Sequence, residues 1–339
     1  MSKTKGICFY LLLGLSLSTA ACNNGHEGNA KEEDAVLKKP PFAAITDSIH
    51  DAGPTDKANL YFRRGDLLSR NDLHELAAND YKKAWELRPD ETTGLRYAST
   101  LSIISRPQEA IQVLEECRKK FPDNVGFSNM LGDLYLQVGQ TKQALQLYND
   151  MLHADSTNFE AWYEKGLLQE KTQDTAGALE SLQKAYALQP VNTYALELAH
   201  LYAENRNAAA LSLCDEVLRK DSTHELIDPL FIKGIYYSNI GKSSQAIVQF
   251  DSCIRRDWKF TDAYLEKGII LFHQNKYDEA LEVFQMVIKV SNTYPDGYYW
   301  IGRCYEATGH KEEATLFYQR ALALDKDFTE ARAAIRRLK

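Results

Sequence analysis

Cysteine and histidine are the side chains of this 339-residue chain that could do chemistry, and their spacing forms no reactive site. The cysteines beyond residue 22 are Cys117, Cys214, Cys253 and Cys304. They match neither a Cys-x-x-Cys pair nor a disulfide framework. Each falls where a helix would place a small apolar residue inside, which favours buried thiols. A bridge between Cys214 and Cys253 stays open if the chain is exported to an oxidising compartment.

The remaining candidates for catalysis are scattered. The eight histidines form no His-Glu-x-x-His motif, and neither a phosphate-binding loop nor a serine elbow occurs. Acid pairs such as Glu115-Glu116 and Glu312-Glu313 are adjacent in sequence, so their side chains point in different directions. The sequence therefore predicts no catalytic site, no metal site and no cofactor. We expect that the protein is not an enzyme.

The first 22 residues have the layout of an export signal. Lys3 and Lys5 precede an apolar run over residues 7–17. This run is shorter than the roughly 20 apolar residues that span a bilayer. The small residues directly before Cys22 resemble the lipobox of bacterial lipoproteins, although Thr19 stands where Leu is usual.

The lipobox resemblance implies that residues 1–21 are removed and that Cys22 carries lipid, which would hold the protein at a membrane. Asn23, rather than Asp, follows Cys22, and by analogy with Gram-negative lipoproteins this implies sorting to the outer membrane. Ordinary cleavage after Ala21 remains the alternative and would release a secreted or periplasmic protein. The polar, proline-containing residues 22–57 are predicted to be a flexible tether, with the apolar stretch 42–45 as the exception and a candidate for local docking.

Charge argues against nucleic acid as a partner. The whole chain has a formal net charge of −7. Without the two lysines of residues 1–21, 38 basic side chains face 47 acidic ones. An acidic chain repels phosphate backbones, so we expect no nucleic-acid binding.

A helical motif recurs eight times beyond the tether: an alanine, a large apolar residue four positions later and a smaller one three positions after that. The leading alanines are Ala77, Ala110, Ala144, Ala178, Ala210, Ala246, Ala280 and Ala314, at intervals of 33, 34, 34, 32, 36, 34 and 34 residues. This spacing is one face of a helix. In six repeats a glycine precedes the alanine by twelve residues, as Gly234 and Gly268 do. Glycine costs a helix about 1 kcal/mol, so the recurrence predicts close approach of two helices, glycine facing alanine.

These positions resemble the tetratricopeptide repeat family. The early aromatic of the first (A) helix is present as Trp162, Tyr264 and Tyr298, and the proline that ends the second (B) helix as Pro122 and Pro190. The resemblance implies an all-α protein, a right-handed α-solenoid of about eight helix pairs over residues 58–328. Residues 329–339 would form a C-terminal capping helix. The 32- and 36-residue intervals predict that the array is least regular near residues 190–228.

In that family A-helix side chains line a concave groove that binds peptides or helices. The implied groove residues here are Tyr163, Phe231, Ile235, Leu265, Ile269, Phe272, Tyr299 and Arg303. Their apolar character suits an amphipathic helix or an apolar strand. The alternative is that they only pack against neighbouring repeats. The Lys and Asn pattern that clamps a C-terminal carboxylate elsewhere in the family is absent.

The resulting functional prediction is a non-enzymatic scaffold or adaptor at the bacterial cell envelope. Its partners would be other envelope proteins, bound through a peptide or helix, together with a membrane bound through the N-terminal lipid. The second hypothesis is a glycan-binding envelope lipoprotein on a helical-repeat scaffold. The short turns between helices count against it, because glycan capture usually needs long loops with aromatic platforms.

Overall fold

The computed structural model describes residues 35–338, and within them it contains α-helices and no strand. The all-α prediction is confirmed. The chain divides into two compact units, Met1–Gln140 and Thr141–Lys339. The predictions for the export signal and for lipid on Cys22 lie outside the described residues. No described helix has both the length and the apolar character that crossing a membrane requires.

The first unit contains α1 Ala43–Asp51, α2 Pro54–Ser69, α3 His74–Leu87, α4 Glu91–Ile103, α5 Pro107–Lys120 and α6 Val125–Gln137. Within it, α2 packs on α3, α4 packs on α5, and each pair packs on the next helix along the chain. The helix pair is therefore the building unit, as the repeat predicted. The third repeat consists of α6 and α7, and the boundary between the two units falls between them.

The second unit contains α7 Thr141–Ala154, α8 Phe159–Lys171, α9 Thr175–Leu188, α10 Asn192–Glu204, α11 Ala209–Lys220, α12 Asp228–Asn239, α13 Ser243–Arg256, α14 Thr261–His273, α15 Tyr277–Val290, α16 Pro295–Ala307, α17 Lys311–Leu324 and α18 Thr329–Leu338. The A helices α8, α10, α12, α14 and α16 each pack on the B helix that follows. The final helix, α18, packs on α17 and buries Ala331 and Ala334, which is the predicted capping arrangement.

The recurring glycines let each A helix approach its B helix closely. A Cβ at Gly268 would overlap the ring of Phe284, and one at Gly302 would lie 2.7 Å from Cδ1 of Tyr318. At both positions the close neighbour is thus an aromatic ring one turn beyond the repeat's alanine, where the sequence had suggested the alanine itself; at Gly166 it is the Leu182 side chain. A fully buried ring fills more of the space between two helices than a methyl group, so the glycine makes room for it.

An ion pair in the first unit joins α2, α3 and the N-terminal helix α1. Arg64 donates from Nε and Nη2 to both carboxylate oxygens of Asp80 at 2.7 and 2.8 Å, and from Nη1 to the Thr46 hydroxyl at 2.9 Å. Phe42, just before α1, is also buried. Helix α1 lies inside the segment 22–57 that composition predicts to be a tether, so ordered structure begins before residue 58.

The long 36-residue interval is taken up by the connection between α11 and α12. The buried Asp221 carboxylate accepts hydrogen bonds from the Thr223 hydroxyl at 2.8 Å and from the Leu226 backbone N–H at 3.0 Å. His224 adopts a left-handed backbone conformation, with φ of 58°. Extra residues are thus accommodated in a hydrogen-bonded loop. That the array is irregular over residues 190–228 stays a prediction.

Candidate partner-binding site

The eight predicted groove residues lie on A helices of the second unit. They are Tyr163 on α8, Phe231 and Ile235 on α12, Leu265, Ile269 and Phe272 on α14, and Tyr299 and Arg303 on α16. The structure brings Leu265, Ile269, Phe272 and Tyr299 together around one hydrophobic cluster. Phe231 and Ile235 belong to a second cluster and Tyr163 to a third. We call the surface formed by the A helices α8, α10, α12, α14 and α16 the A-helix face.

Two of the predicted residues contribute mainly to packing. Ile235 is 6% exposed and Phe272 is 8% exposed, so both are part of the core. The ring centroid of Phe272 lies 5.3 Å from that of Trp300 on the next A helix. The surface available to a partner therefore comes from the partly exposed members of the set, such as Phe231, Leu265 and Tyr299.

Arg303 lies among three aromatic rings. Its guanidinium carbon is 5.1 Å from the ring centre of Phe272, 5.4 Å from that of Trp300 and 5.9 Å from that of Tyr299. Nη1 of Arg303 also donates to the Tyr299 hydroxyl at 3.2 Å. Cation–π contact and this hydrogen bond hold the guanidinium in place. Burial lowers the pKa of His273, and the Arg303 charge lowers it further.

Aromatic rings also connect neighbouring repeats elsewhere on the face. Tyr163 on α8 stacks on Tyr194 on α10, with ring centroids 4.5 Å apart. Phe231 meets Phe260, in the connection before α14, edge to face at 5.2 Å. Offset and edge-to-face pairs of this kind stabilise packing beyond the area they bury. These residues therefore pack between repeats and keep part of their surface exposed, and that they bind a partner stays a prediction.

The sequence prediction missed carboxylates on these A helices whose pKa values are raised. Burial raises the pKa of Glu170 and of Glu197, and the charge of His200 offsets part of the rise in both. Burial raises the pKa of Glu266 to about 7, with the carboxylates of Asp262 and Glu204 adding to the shift. The missed signal was acids four residues apart on an A helix, as Asp262 and Glu266 are, because helical spacing puts such residues on one face.

The cysteines and the possible metal ligands form no cluster in the described part of the chain. The four cysteines are free and buried, as predicted, and burial raises the pKa of each thiol to about 12. The reactive thiolate form is therefore scarce at neutral pH. Within residues 35–338 no group of three or more His, Cys, Asp or Glu side chains could hold a metal ion.

Helix pairs that pack on one another within each unit define a helical-repeat protein. Family models described as tetratricopeptide repeat match residues 105–168 and 244–338, and residues 58–91 and 159–192. The chain belongs to the tetratricopeptide repeat family. Such a repeat array is a scaffold for protein–protein contact.

Similar proteins agree with this assignment. A solved tetratricopeptide repeat protein from Parabacteroides merdae superposes with a TM-score of 0.63 over 72% of this chain and 97% of that one, at 17% identity, which shows the shared fold. One curated relative is the DnaJ homolog subfamily C member 7 homolog of Schizosaccharomyces pombe, which is 23% identical over 90% of this chain and 65% of the relative. Another is TPR repeat-containing protein YpiA of Bacillus subtilis, which is 26% identical over 84% of this chain and 66% of the relative. The chain thus spans about two thirds of the length of these relatives.

Proposed function

We propose that this chain is a non-catalytic adaptor that holds a segment of a partner protein against its A-helix face. The observation that carries the proposal is the row of partly exposed apolar side chains on successive A helices, Phe231, Leu265 and Tyr299. Fully burying one Phe or Leu side chain contributes about 1.5–3 kcal/mol. Two or three such anchors are enough for micromolar binding after the costs of association.

The adaptor would act at the bacterial cell envelope. The support for this part is the sequence before the array: a basic start, an apolar run of residues 7–17 and small residues leading to Cys22. Lipid chains contribute about 0.8 kcal/mol per buried methylene, so two or more would keep the array at the membrane surface. A Cys22→Ala protein should lose the lipid mass and leave the membrane fraction. If that variant stays membrane-bound at unchanged mass, lipid anchoring at Cys22 is wrong.

Site-specific photo-crosslinking in cells tests the binding surface. A photoreactive residue at Leu265 should capture one defined protein, and mass spectrometry should place the crosslink within one short segment of it. The matched control is Leu316 on α17, which is 48% exposed and belongs to a B helix. Equal capture at both positions would contradict an A-helix binding surface. No capture at Leu265, with glycan binding by the purified protein, would favour the glycan-binding hypothesis instead.

A further inference from the structure

Among the described residues, Arg303 on the A-helix face has no carboxylate partner. Within residues 35–338 it donates one hydrogen bond, from Nη1 to the Tyr299 hydroxyl at 3.2 Å, and it forms no ion pair. A guanidinium has five N–H groups, so most of its donors are unused in this part of the chain. The side chain is partly exposed, and its unused nitrogens are not sealed off from solvent. A bound molecule can therefore reach them.

Aromatic rings of the core hold this guanidinium in place. Its central carbon lies over the rings of Phe272 and Trp300, 5.1 and 5.4 Å from their centres. Both rings are 8% exposed, so they belong to the packed interior of the seventh and eighth repeats. A guanidinium over a ring face keeps the N–H groups at its edge free for hydrogen bonds. Because the group is already positioned, binding loses little of the side-chain entropy that association usually costs.

The carboxylate closest to Arg303 along α16 is occupied by other donors. Both oxygens of Glu306, three residues further on, accept hydrogen bonds from Arg337 at 2.8 and 2.7 Å. The Tyr318 hydroxyl donates a third hydrogen bond to this carboxylate at 2.6 Å. The Glu306 side chain is thus held toward α17 and α18, away from the Arg303 guanidinium.

Two lysines of the A-helix face show a different arrangement. Lys233 on α12 donates to Asp215 on α11 at 2.7 Å, and Lys267 on α14 donates to Asp251 on α13 at 2.7 Å. Each ammonium is paired with a carboxylate of the preceding B helix. These two cations join neighbouring repeats, whereas Arg303 keeps its charge available at the surface.

We propose that Arg303 binds an Asp or Glu side chain of the partner segment, next to an apolar side chain that packs on Tyr299 and Leu265. The inference rests on the proposed function and adds the chemistry of the partner. A carboxylate matches the planar guanidinium, because its two oxygens accept two parallel N–H groups. The partly exposed Tyr299 and Leu265 supply the apolar contact beside this pair.

The charge around Arg303 favours a carboxylate over a more highly charged anion. The ring centroid of His273 lies 5.8 Å from that of Phe272 and 6.1 Å from that of Trp300. Burial and the Arg303 charge lower the pKa of His273, so its imidazole is mainly neutral at pH 7. The faces of the aromatic rings carry partial negative charge. A bound group thus meets the one positive charge of Arg303, which one carboxylate balances.

The carboxylates of α14 oppose this binding only weakly. Asp262 accepts its hydrogen bond from Tyr294, which is nine residues before Arg303, or about 13 Å along a helix. Exposed charges that far apart are largely screened at physiological salt, where the Debye length is about 8 Å. Burial raises the pKa of Glu266 to about 7, so this side chain carries only part of a negative charge at neutral pH.

The spacing of the two contact residues predicts a short pattern in the partner. Tyr299 and Arg303 are four residues apart on α16, which is about 6 Å along the helix axis. In an extended segment, side chains two positions apart share a face and are about 6.5–7 Å apart. An apolar residue on Tyr299 therefore places an acid at Arg303 when the acid is two positions away.

Blocked synthetic peptides test the charge requirement. Three peptides of the form Ser-Leu-Ser-X-Ser, acetylated and amidated at their ends, carry Glu, Gln or Lys at position X. Each is titrated into the full-length protein with ¹⁵N-labelled arginine, and the Arg303 Nε–H signal is followed by NMR. The Glu peptide should shift that signal and bind at least fivefold more tightly than the Gln peptide, and the Lys peptide should bind more weakly still. An Arg303 signal that millimolar Glu peptide leaves unmoved would overturn the inference.

Matched arginine variants locate the effect, with affinities measured by anisotropy of labelled peptides. In Arg303→Gln the preference for the Glu peptide over the Gln peptide should disappear. Arg303→Lys should retain part of it, because an ammonium keeps the charge and loses the second parallel hydrogen bond. The control is Arg320→Gln on the B helix α17, where the guanidinium also lies over a ring, 5.3 Å from the centre of Phe317. Its preference should be unchanged. Thermal melting establishes that each variant is folded, and equal losses in Arg303→Gln and Arg320→Gln would overturn the assignment.

Further outcomes separate this inference from the proposed function. If crosslinking at Leu265 captures a partner segment without Asp or Glu, the adaptor function stands and the carboxylate inference fails. If sodium acetate shifts the Arg303 signal as far as the Glu peptide does at equal concentration, the peptide assignment is overturned. If the Gln peptide with a free C-terminus binds as tightly as the blocked Glu peptide, the site recognises a chain end and the proposal is wrong. A captured segment with an acid two positions from an apolar residue, together with weak acetate binding, supports the proposal.

Discussion

Two enclosed carboxylates in this protein have opposite surroundings. Asp80, in the first repeat, receives two hydrogen bonds from Arg64, and both side chains are about 95% or more buried. Glu266, in the seventh repeat, faces further carboxylates, and its pKa is raised to about 7 by burial and by those charges. The first arrangement stabilises the fold through a complete set of partners. In the second arrangement burial and neighbouring carboxylates both disfavour the charged form of the side chain.

The largest expected effect is the loss of one member of the paired site. Asp80→Ala would leave the Arg64 guanidinium buried without its carboxylate, and breaking such a pair typically costs about 3–5 kcal/mol. We expect the free energy of unfolding of the first unit to fall by that amount in urea titration. The double variant Arg64→Met with Asp80→Leu should recover most of the loss. If Asp80→Ala is as stable as the unaltered protein, the ion pair of Arg64 and Asp80 does not stabilise the fold.

A second variant tests whether helix packing is what encloses Glu266. Gly268 lies on the same helix, and a Cβ there would overlap the Phe284 ring. Gly268→Ala should therefore displace α14 and cost about 1–3 kcal/mol, as overpacking does. The pKa of Glu266, followed by NMR titration, should move down toward its ordinary value. Gly53→Ala is the control, because a Cβ at Gly53 meets no atom within 4 Å. An unchanged Glu266 pKa would show that the close contact between Gly268 and Phe284 is not what buries Glu266.

Neutralising Glu266 should change the free energy of unfolding in the opposite direction to neutralising Asp80. Because the folded-state pKa of Glu266, about 7, lies above the ordinary value of 4.5 for glutamate, the folded protein holds that proton more tightly than the unfolded chain does. Stability contributed by this group is therefore lost as pH rises from about 4.5 to about 7. Glu266→Gln should raise the free energy of unfolding by about 1–2 kcal/mol at pH 8 and leave it unchanged at pH 4.

Asp80→Asn is the matched control for that measurement, and it should be destabilising at pH 8. Both variants are compared by urea unfolding at pH 4 and pH 8. If Glu266→Gln is also destabilising at pH 8, the carboxylate has a partner, and the contrast between the two sites disappears.

The smallest effect is expected for an exposed ion pair. Arg337 on α18 donates to both carboxylate oxygens of Glu306 at 2.8 and 2.7 Å, and its side chain is 57% exposed. Ion pairs open to water contribute about 0–1 kcal/mol. Arg337→Ala should therefore reduce the midpoint of thermal unfolding only slightly, and less at high salt. A loss as large as that of Asp80→Ala would show that solvent exposure does not determine how much each ion pair contributes to stability.

Much of the architecture could be predicted because its determinants are local. The repeated alanine and glycine spacing places one apolar stripe on each helix, and stripes at a 34-residue period can be buried only against the neighbouring repeats. The predicted A-helix residues duly lie on α8, α12, α14 and α16. The packing partner of Gly268 was less accessible, since which atom fills the space depends on how far the Phe284 ring reaches across two helices.

The sequence by itself determined the helix pairs, how many there are and which face of each helix is apolar. All of these follow from periodicity within some 34 residues. Tertiary structure alone decided which charges meet. Arg64 and Asp80 are 16 positions apart, and Glu204 acts on Glu266 from two repeats earlier, so neither relation appears in any local pattern. For helix α1 the apolar stretch 42–45 suggested local docking, but only the structure shows that Thr46 accepts a hydrogen bond from Arg64. Burial and electrostatic coupling depend on distances between helices, and these arise only when the repeats stack.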